Sequence, residues 1–259
     1  LEARGDEIEA ARRLPPDVSA ALARAGVYRS MAPAHLGGLE ATPAGSTELF
    51  ERLAWYDASA AWVGFIGATT ATQLARLPDE TARAVFADPD TLITGVFAPK
   101  GRARMEGDGF VVDGHWQWGS GCQNARWITA GCLLVDDDGP LIDAAGTPRQ
   151  HAALVPIEDV EILDTWHASG LGGTGSTDFR LRSVRVPGER MVGLRRSTPP
   201  DGPLYRFPQF CLLGLGIAGV ALGIARRALD ELIELAEGKV PTGSRKRLAD
   251  RTDVQIAVA

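Results

Sequence analysis

Two glycine-rich segments in the middle of the chain decide its fold class. Residues 88–101 are Asp-Pro-Asp-Thr-Leu-Ile-Thr-Gly-Val-Phe-Ala-Pro-Lys-Gly, and residues 108–121 are Asp-Gly-Phe-Val-Val-Asp-Gly-His-Trp-Gln-Trp-Gly-Ser-Gly. The first contains an apolar run with β-branched residues at 91–98, which predicts a strand. The second follows a glycine turn at 107–109, so residues 102–118 are typical of a β-hairpin.

Further strands are predicted after this hairpin. The spacing between them is short and no helical segment intervenes, which favours an antiparallel sheet closed into a barrel or packed as a sandwich. The four predicted strands are residues 126–135, 151–157, 160–166 and 177–186.

Helical patterns precede the predicted β region. Asp17 is placed to begin one helix, and Gly26 follows where the end of that helix is expected. Asp57 or Ser59 can begin a later, apolar helix. Two further helical segments are predicted around residues 49–54 and 79–87.

A helical pattern also follows the β region. Residues 212–237 predict a long apolar helix that Gly238 ends, and another helix is predicted to begin near Asp250. Gly219 and Gly223 are four residues apart, so they share one face and allow a second helix to approach closely. We expect so apolar a helix to be buried among others. The residues after it barely supply such partners, so we expect the chain to be part of a longer protein.

The predicted fold is therefore α+β, with three domains in chain order. Residues 1–90 form an amino-terminal helical domain, and residues 91–195 form a central antiparallel β-barrel or sandwich. Residues 196–259 form the truncated start of a carboxy-terminal helical bundle.

The composition narrows the class of partner. The chain carries 27 basic and 33 acidic residues, which argues against nucleic acid or an anionic membrane surface, because both bind clustered positive charge. The uncharged run at residues 210–225 is shorter than the roughly 20 residues that a membrane span needs. We therefore expect no nucleic-acid partner and no membrane span.

The cysteines and histidines predict neither disulfides nor a metal site. Cys122, Cys132 and Cys211 lie in apolar surroundings without CxxC spacing, which predicts buried thiols in a reducing, cytoplasmic protein. The four histidines show no metal-ligand spacing.

One motif imitates a dinucleotide-binding loop. Residues 170–175 satisfy G-x-G-x-x-G, but that function requires a helix to begin at the last glycine. Here an alternating, strand-like sequence follows from Ser176. We interpret the motif as a tight turn.

The order helical, β, helical and several sequence blocks together resemble the acyl-CoA dehydrogenase superfamily. The central blocks at 88–101 and 108–121 are similar to those of its two-component, reduced-flavin aromatic monooxygenases. Two further blocks fit this branch: Met-Ala-Pro-Ala-His-Leu-Gly-Gly at 31–38 and Trp-His-Ala-Ser-Gly-Leu-Gly-Gly-Thr-Gly-Ser-Thr-Asp at 166–178. The resemblance covers essentially the whole chain.

The resemblance implies a flavin site between the β domain and the carboxy-terminal bundle. Ser120 matches a residue near the reactive N5 edge of the flavin and is the candidate catalytic residue. The other residues that match cofactor contacts are Trp62, Gly95, Val96, Phe97, Trp118, Gly119 and Arg245.

Each of these residues also has a structural interpretation. Trp62 can pack in a helical core, Gly95 can mark a bulge, and Arg245 can be a solvated charge. Trp116 has the strand parity of Trp118 and is predicted to share its face of the sheet.

The function implied by the resemblance is hydroxylation of an aromatic or polyketide-like small molecule with O2 and reduced FMN or FAD. A separate flavin reductase would supply the reduced flavin, and the family resemblance implies a homotetramer. Two alternatives stay open: an FAD-dependent acyl-CoA dehydrogenase, and a flavin-free relative that acts as a binding module.

Overall fold

The chain folds in the predicted order of helices, sheet and helices. A computed structural model describes residues 1–194 and 202–258. The predicted domain boundary between residues 195 and 196 lies outside these ranges, and the three-domain division stays a prediction.

The amino-terminal region is helical over its first 85 residues. Its α-helices are α1 (Gly5–Ala11), α2 (Pro16–Arg24), α3 (Pro43–Tyr56), α4 (Ala58–Ala71) and α5 (Asp79–Val85). Helix α4 is apolar around its whole circumference and eleven of its fourteen residues are buried. It is therefore the central helix, packed against α3, the sheet and a later helix.

The structure confirms two of the three residues that we predicted to begin or end a helix. Gly26 follows α2 with φ +78°, a left-handed conformation that favours glycine. The Asp57 carboxylate accepts a hydrogen bond from the Ala60 N–H at 2.7 Å and begins α4. The prediction for Asp17 is wrong, because α2 begins after Pro15 and Asp17 lies in its first turn. Asp17 instead pairs with Arg4 at 2.9 Å.

The cap of α4 should make stability depend on pH. Burial raises the pKa of Asp57 above its ordinary value. Folding thus disfavours the charged carboxylate of Asp57. The contribution of Asp57 to the free energy of unfolding is therefore fully present at low pH and is lost as pH rises through the raised pKa. Asp57→Asn keeps an oxygen for the Ala60 N–H and removes this titration. We expect the Asn variant to gain stability relative to the wild type as pH rises from about 4. Urea unfolding at a series of pH values checks this, and a pH-independent difference would contradict it.

The sheet contains eight strands within the described part of the chain. They are β1 (Ile93–Glu106), β2 (Gly109–Trp116), β3 (Trp127–Asp136), β4 (Gly139–Pro140), β5 (Gln150–Pro156), β6 (Glu161–Leu163), β7 (Asp178–Pro187) and β8 (Met191–Gly193). The β1–β2 hairpin and the four later predicted strands are confirmed; β4 and β8, of two and three residues, were not predicted.

Two details of the predicted sheet are wrong. Strands β1 and β3 run parallel, because β2 and the ten residues after it return the chain to the far side of β1. The strand order β6-β7-β2-β1-β3-β5-β8 is also open, with no pairing between β6 and β8, so the described strands form one mixed sheet and not a closed barrel. The other neighbouring pairs are antiparallel.

The carboxy-terminal region is again helical. It comprises α6 (Pro203–Arg206), α7 (Gln209–Gly238) and α8 (Thr252–Val258). The Gly219/Gly223 prediction is confirmed, since a Cβ at Gly223 would lie 2.3 Å from the Glu51 carbonyl oxygen of α3. Glycine is therefore required where the two helices touch.

The described residues bury only one face of α7, in agreement with the expectation that this chain barely supplies partners for so apolar a helix. Helices α3 and α4 cover one face, while several large apolar side chains of α7 are exposed. By length and hydropathy alone α7 is long and apolar enough to cross a membrane. Core helices of soluble proteins also meet these two criteria. Its exposed apolar residues include Phe210, Ile217, Leu222, Ile224, Leu229, Leu232, Ile233 and Leu235.

Two of the three cysteines are buried and one is exposed. Cys122 and Cys132 are buried as predicted, and burial raises the pKa of each to about 12. Cys211 is exposed near the start of α7, so the prediction of burial is wrong for this residue. It lies on the side of α7 that no described element covers.

Candidate functional site

The candidate site centres on the loop that follows β2. Gly119 N–H donates to the Thr177 carbonyl and Gly121 N–H to the Thr174 carbonyl, each at 2.8 Å. These two backbone bonds join residues 119–121 to the turn at 174–177. Gly119 allows the approach, because a Cβ there would lie 2.8 Å from the Phe179 ring. Ser120 is thereby held beside Ser176, 56 residues further along the chain.

Ser120 belongs to a buried group of hydroxyls. The Trp62 indole N–H of α4 donates to Ser120 Oγ at 3.0 Å. Ser120 Oγ lies 2.6 Å from Ser176 Oγ, which lies 2.7 Å from Thr174 Oγ1. We call Ser120, Ser176 and Thr174 the hydroxyl cluster. All three residues are at most 6% exposed, so their hydrogen bonds form largely out of water.

The structure brings Trp62 and Ser120 together, as the resemblance implies, but Trp62 also packs. Its ring meets the Phe65 ring edge-to-face with centroids 4.9 Å apart. Trp62 is half-buried, so it joins the helical core and the hydroxyl cluster at the same time. Both interpretations of this residue therefore have a contact that supports them.

The two tryptophans of the Trp-x-Trp pattern have opposite environments. Trp116 is fully buried, stacks on Phe179 and donates to the Gly131 carbonyl at 2.8 Å. Trp118 is 68% exposed and has φ +64°, which is unusual for a residue other than glycine. The prediction that they share a sheet face is wrong, because β2 ends at Trp116 and the backbone turns at Trp118. An exposed indole beside Ser120 is available to pack on a flat ligand.

Strand β1 borders a cleft at Phe97 and also runs close to this loop, since a Cβ at Gly121 would lie 3.2 Å from Thr94 Cγ2. Gly95, Val96 and Phe97 are half-exposed, and the pairing of β1 with β3 shifts register between Val96 and Gly101. Gly95 pairs with Thr129 one residue before this shift begins, so it lies next to the bulge and not within it. Gly95 instead has φ +156° and lies against Thr129.

The cleft beyond Phe97 has a volume of about 320 Å³, within the range of small-molecule pockets. It lies between the bulge of β1, the turn after α4 and the start of α7. Its lining combines apolar side chains with side-chain amides and one guanidinium. The lining residues are Gln73, Arg76, Phe97, Ala98, Pro99, Gln150, Leu194, Gln209 and Phe210.

The residues of β1 and of the loop around Ser120 fit a flat, partly apolar cofactor with hydrogen-bond acceptors along one edge. The half-exposed residues of β1 offer backbone hydrogen-bonding groups, the exposed Trp118 ring offers flat apolar contact, and Ser120 offers a small hydroxyl. An isoalloxazine ring has this combination of properties.

Glu9 is a site residue that the sequence analysis missed. Its carboxylate accepts from the Gly172 N–H at 3.0 Å and from the Gly173 N–H at 3.3 Å. The G-x-G-x-x-G motif thus binds an anion, but the anion is this side chain of α1. The interpretation as a turn is confirmed, since Gly172–Thr174 is a single 3-10 turn followed by β7.

Arg245 lies far from the hydroxyl cluster. Arg245 is exposed and lies in the segment after α7. The part of α7 that lies near the hydroxyl cluster is around Gly216, which packs against Phe65 of α4. From Gly216 to Gly238 the helix extends about 33 Å at 1.5 Å per residue. The described chain does not bring Arg245 to Ser120, and its contact with a cofactor phosphate stays a prediction.

Comparison with known proteins agrees with this architecture. The model of the acyl-CoA dehydrogenase carboxy-terminal domain matches residues 215–259. The XiaF structure from Streptomyces, in complex with FADH2 and glycerol, superposes with a TM-score of 0.89 at 27% identity over 99% of this chain and 66% of that one. By these matches the chain resembles the acyl-CoA dehydrogenase superfamily.

The curated proteins to which the chain is similar include two monooxygenases. The chain is 36% identical to indole-3-acetate monooxygenase from Pseudomonas putida, over 99% of this chain. It is 30% identical to the oxygenase subunit of the flavin-dependent monooxygenase HsaA from Rhodococcus jostii, over 90% of this chain. The chain spans 64% of the length of the first relative and 62% of the second.

Proposed function

We propose that the protein is the oxygenase component of a two-component flavin-dependent monooxygenase. It hydroxylates an aromatic or polyketide-like small molecule. The observation that carries the proposal is the buried Ser120 hydroxyl, fixed by Trp62 and Ser176 two residues after the exposed Trp118. The names of the similar proteins support the same reaction class.

A reduced flavin, when bound, supplies the two electrons with which one atom of O2 enters a C–H bond and the other leaves as water. The chain's own residues bind and orient the reactants. Gly95, Val96 and Phe97 offer backbone groups to the ring, and Trp118 and Gly119 offer a flat surface. Ser120 donates a hydrogen bond at the edge of the ring and is the proposed catalytic residue.

The cleft sets the proposed substrate class. Phe97 and Phe210 supply aromatic contacts, while Gln73 and Gln209 supply side-chain amides. Gln209 is itself fixed, since its amide donates to the Thr69 carbonyl at 3.1 Å. Fixed polar groups among aromatic rings suit an aromatic substrate with hydroxyl or carbonyl substituents.

The remaining assignments are part of the same proposal. The cofactor is reduced FAD or FMN, delivered by a separate flavin reductase, and the protein works in the cytoplasm. The family resemblance implies a homotetramer, and the exposed apolar residues of α7 are compatible with helix contacts in such an assembly. Light scattering on the full-length protein checks the assembly, and a monomer at micromolar concentration would contradict it.

The activity is tested with the full-length protein, FADH2 or FMNH2, and 18O-labelled O2. We expect one labelled oxygen atom in a hydroxylated aromatic product and one in water for each flavin oxidised. Oxidation of an acyl-CoA without oxygen incorporation would show a dehydrogenase instead. A protein that neither binds nor turns over flavin would show a binding module.

A further inference from the structure

The directions of the hydrogen bonds in the hydroxyl cluster are partly fixed. An indole N–H can only donate, so Ser120 Oγ accepts from Trp62. The carbonyl of Leu171 can only accept, and Thr174 Oγ1 lies 2.8 Å from it. Between these two fixed ends, each hydroxyl can either donate or accept.

The hydroxyl hydrogens of the cluster can adopt two arrangements. In the inward arrangement Ser120 donates to Ser176, Ser176 to Thr174, and Thr174 to the Leu171 carbonyl. In the outward arrangement Thr174 donates to Ser176 and Ser176 to Ser120, so the Ser120 hydrogen is available to a ligand. The Leu171 carbonyl is still paired in the outward case. It accepts from the Trp166 indole at 3.2 Å and from the Thr174 N–H at 3.1 Å.

We propose that Ser176 and Thr174 are positioning residues that let the Ser120 hydroxyl reverse its direction when the cofactor binds. The inference rests on the proposed function. The outward arrangement leaves only the Ser120 hydrogen without an acceptor, and a bound cofactor supplies one, so binding offsets the free-energy cost of reversal. The short distances and the absence of bulk water favour concerted reversal.

The turn that carries the two hydroxyls is held from outside the cluster. Glu9 binds the Gly172 and Gly173 N–H groups, and Arg12 pairs with Asp164 at 2.7 Å and donates to the Trp166 carbonyl at 2.9 Å. The two ends of this loop are therefore fixed to α1 and the residue after it. Ser176 keeps its place while only hydrogen positions change.

The inference predicts tighter binding of FADH2 in two variants that each lack one buried hydroxyl. Ser176→Ala removes the acceptor that holds the Ser120 hydrogen inward, so the cofactor gains that hydrogen bond without breaking another, and we expect FADH2 to bind up to about fivefold tighter. Thr174→Val removes the acceptor of Ser176 in the inward arrangement, so that arrangement no longer pairs every hydroxyl. We expect FADH2 to bind Thr174→Val up to about twofold tighter, because the inward arrangement that competes with the cofactor is weakened. Anaerobic titration of the full-length protein measures both affinities.

Three further variants serve as controls. Ser176→Thr keeps a hydroxyl and should leave the affinity close to that of the wild type. Ser46→Ala removes a buried hydroxyl of α3 that has no hydrogen-bond partner, and should change nothing. In a Ser120→Ala background, Ser176→Ala should have no additional effect, because the residue it positions is gone. Weaker binding by both Ser176→Ala and Thr174→Val would overturn the inference.

A measurement without flavin separates this inference from the proposed function. The NMR shift of the Trp62 indole N–H reports its acceptor, Ser120 Oγ. We expect the shift to move in Ser120→Ala and in Ser176→Ala, and to stay in Ser46→Ala. An unmoved shift in Ser176→Ala would overturn the cluster itself. Moved shifts together with no flavin affinity in the wild type would instead refute the proposed function.

Discussion

Replacing Gly95 by alanine is expected to lower the free energy of unfolding by about 3 to 5 kcal/mol, the sum of severe overpacking and an unfavourable φ. A Cβ at this position would lie 1.9 Å from the Thr129 carbonyl oxygen and 2.3 Å from Thr129 Oγ1. Neither atom can move away, because Thr129 is paired in β3 with both β1 and β5. The parallel contact of β1 with β3 would have to open.

Gly139→Ala is the matched control for this prediction. Gly139 also has a positive φ, +126°, but a Cβ there would meet nothing within 4 Å. Its substitution should cost only the backbone strain, about 1 to 2 kcal/mol. Urea unfolding of both variants measures the difference, and equal losses would show that the contact with Thr129 is unimportant.

Gly95→Ala should also affect the candidate site. Val96 and Phe97 follow Gly95 directly, and Phe97 lines the cleft. If β1 moves away from β3, the backbone proposed to border the cofactor moves with it. We therefore expect Gly95→Ala to weaken FADH2 binding even at temperatures where the variant is folded, whereas Gly139→Ala should not.

Local patterns predict the elements of this fold better than their pairing. The apolar run at 91–98, the glycine turn at 107–109 and the Gly238 helix end all depend on neighbouring residues, and the structure confirms each of them. The parallel pairing of β1 with β3 depends instead on where the chain goes after β2. Nothing within either strand specifies the direction of a partner 34 residues away.

In the candidate site, too, local sequence predicts the loop but not its distant contacts. The Trp-x-Trp-x-Ser-Gly block identifies the loop, but Trp118 leaves the face of Trp116 because of a single positive φ. The partners of Ser120 are 56 and 58 residues distant in sequence, and Glu9 lies 163 residues from Gly172. Such contacts are set by tertiary packing. The sequence signal that could have revealed Ser176 is its place in the Gly-Thr-Gly-Ser block, which the resemblance already singled out.

Replacing Ser120 by alanine is expected to reduce hydroxylated product per reduced flavin by about tenfold to a hundredfold, the range for loss of one hydrogen bond at a reacting group. The electrons are not lost: O2 that fails to enter the substrate should appear as hydrogen peroxide. Product and peroxide, measured together against flavin oxidised, should sum to the wild-type total.

The substitution also affects stability, and this effect must be separated from the chemistry. Without Ser120 Oγ the Trp62 N–H loses its acceptor, which costs about 1 to 3 kcal/mol if no water replaces it. A domain with ordinary stability stays folded at 25 °C after such a loss. Chemical denaturation of the variant therefore sets the conditions for the product assay.

Ser120→Thr distinguishes a chemical role of the hydroxyl from a structural one. Threonine keeps an oxygen for the Trp62 N–H and a hydrogen for a ligand, while its extra methyl group disturbs packing more than alanine does. If the hydroxyl acts chemically, the threonine variant should give more product than the alanine variant although it is no more stable. If product yield instead follows stability across the two variants, Ser120 is a packing residue, and the proposal for this site is wrong.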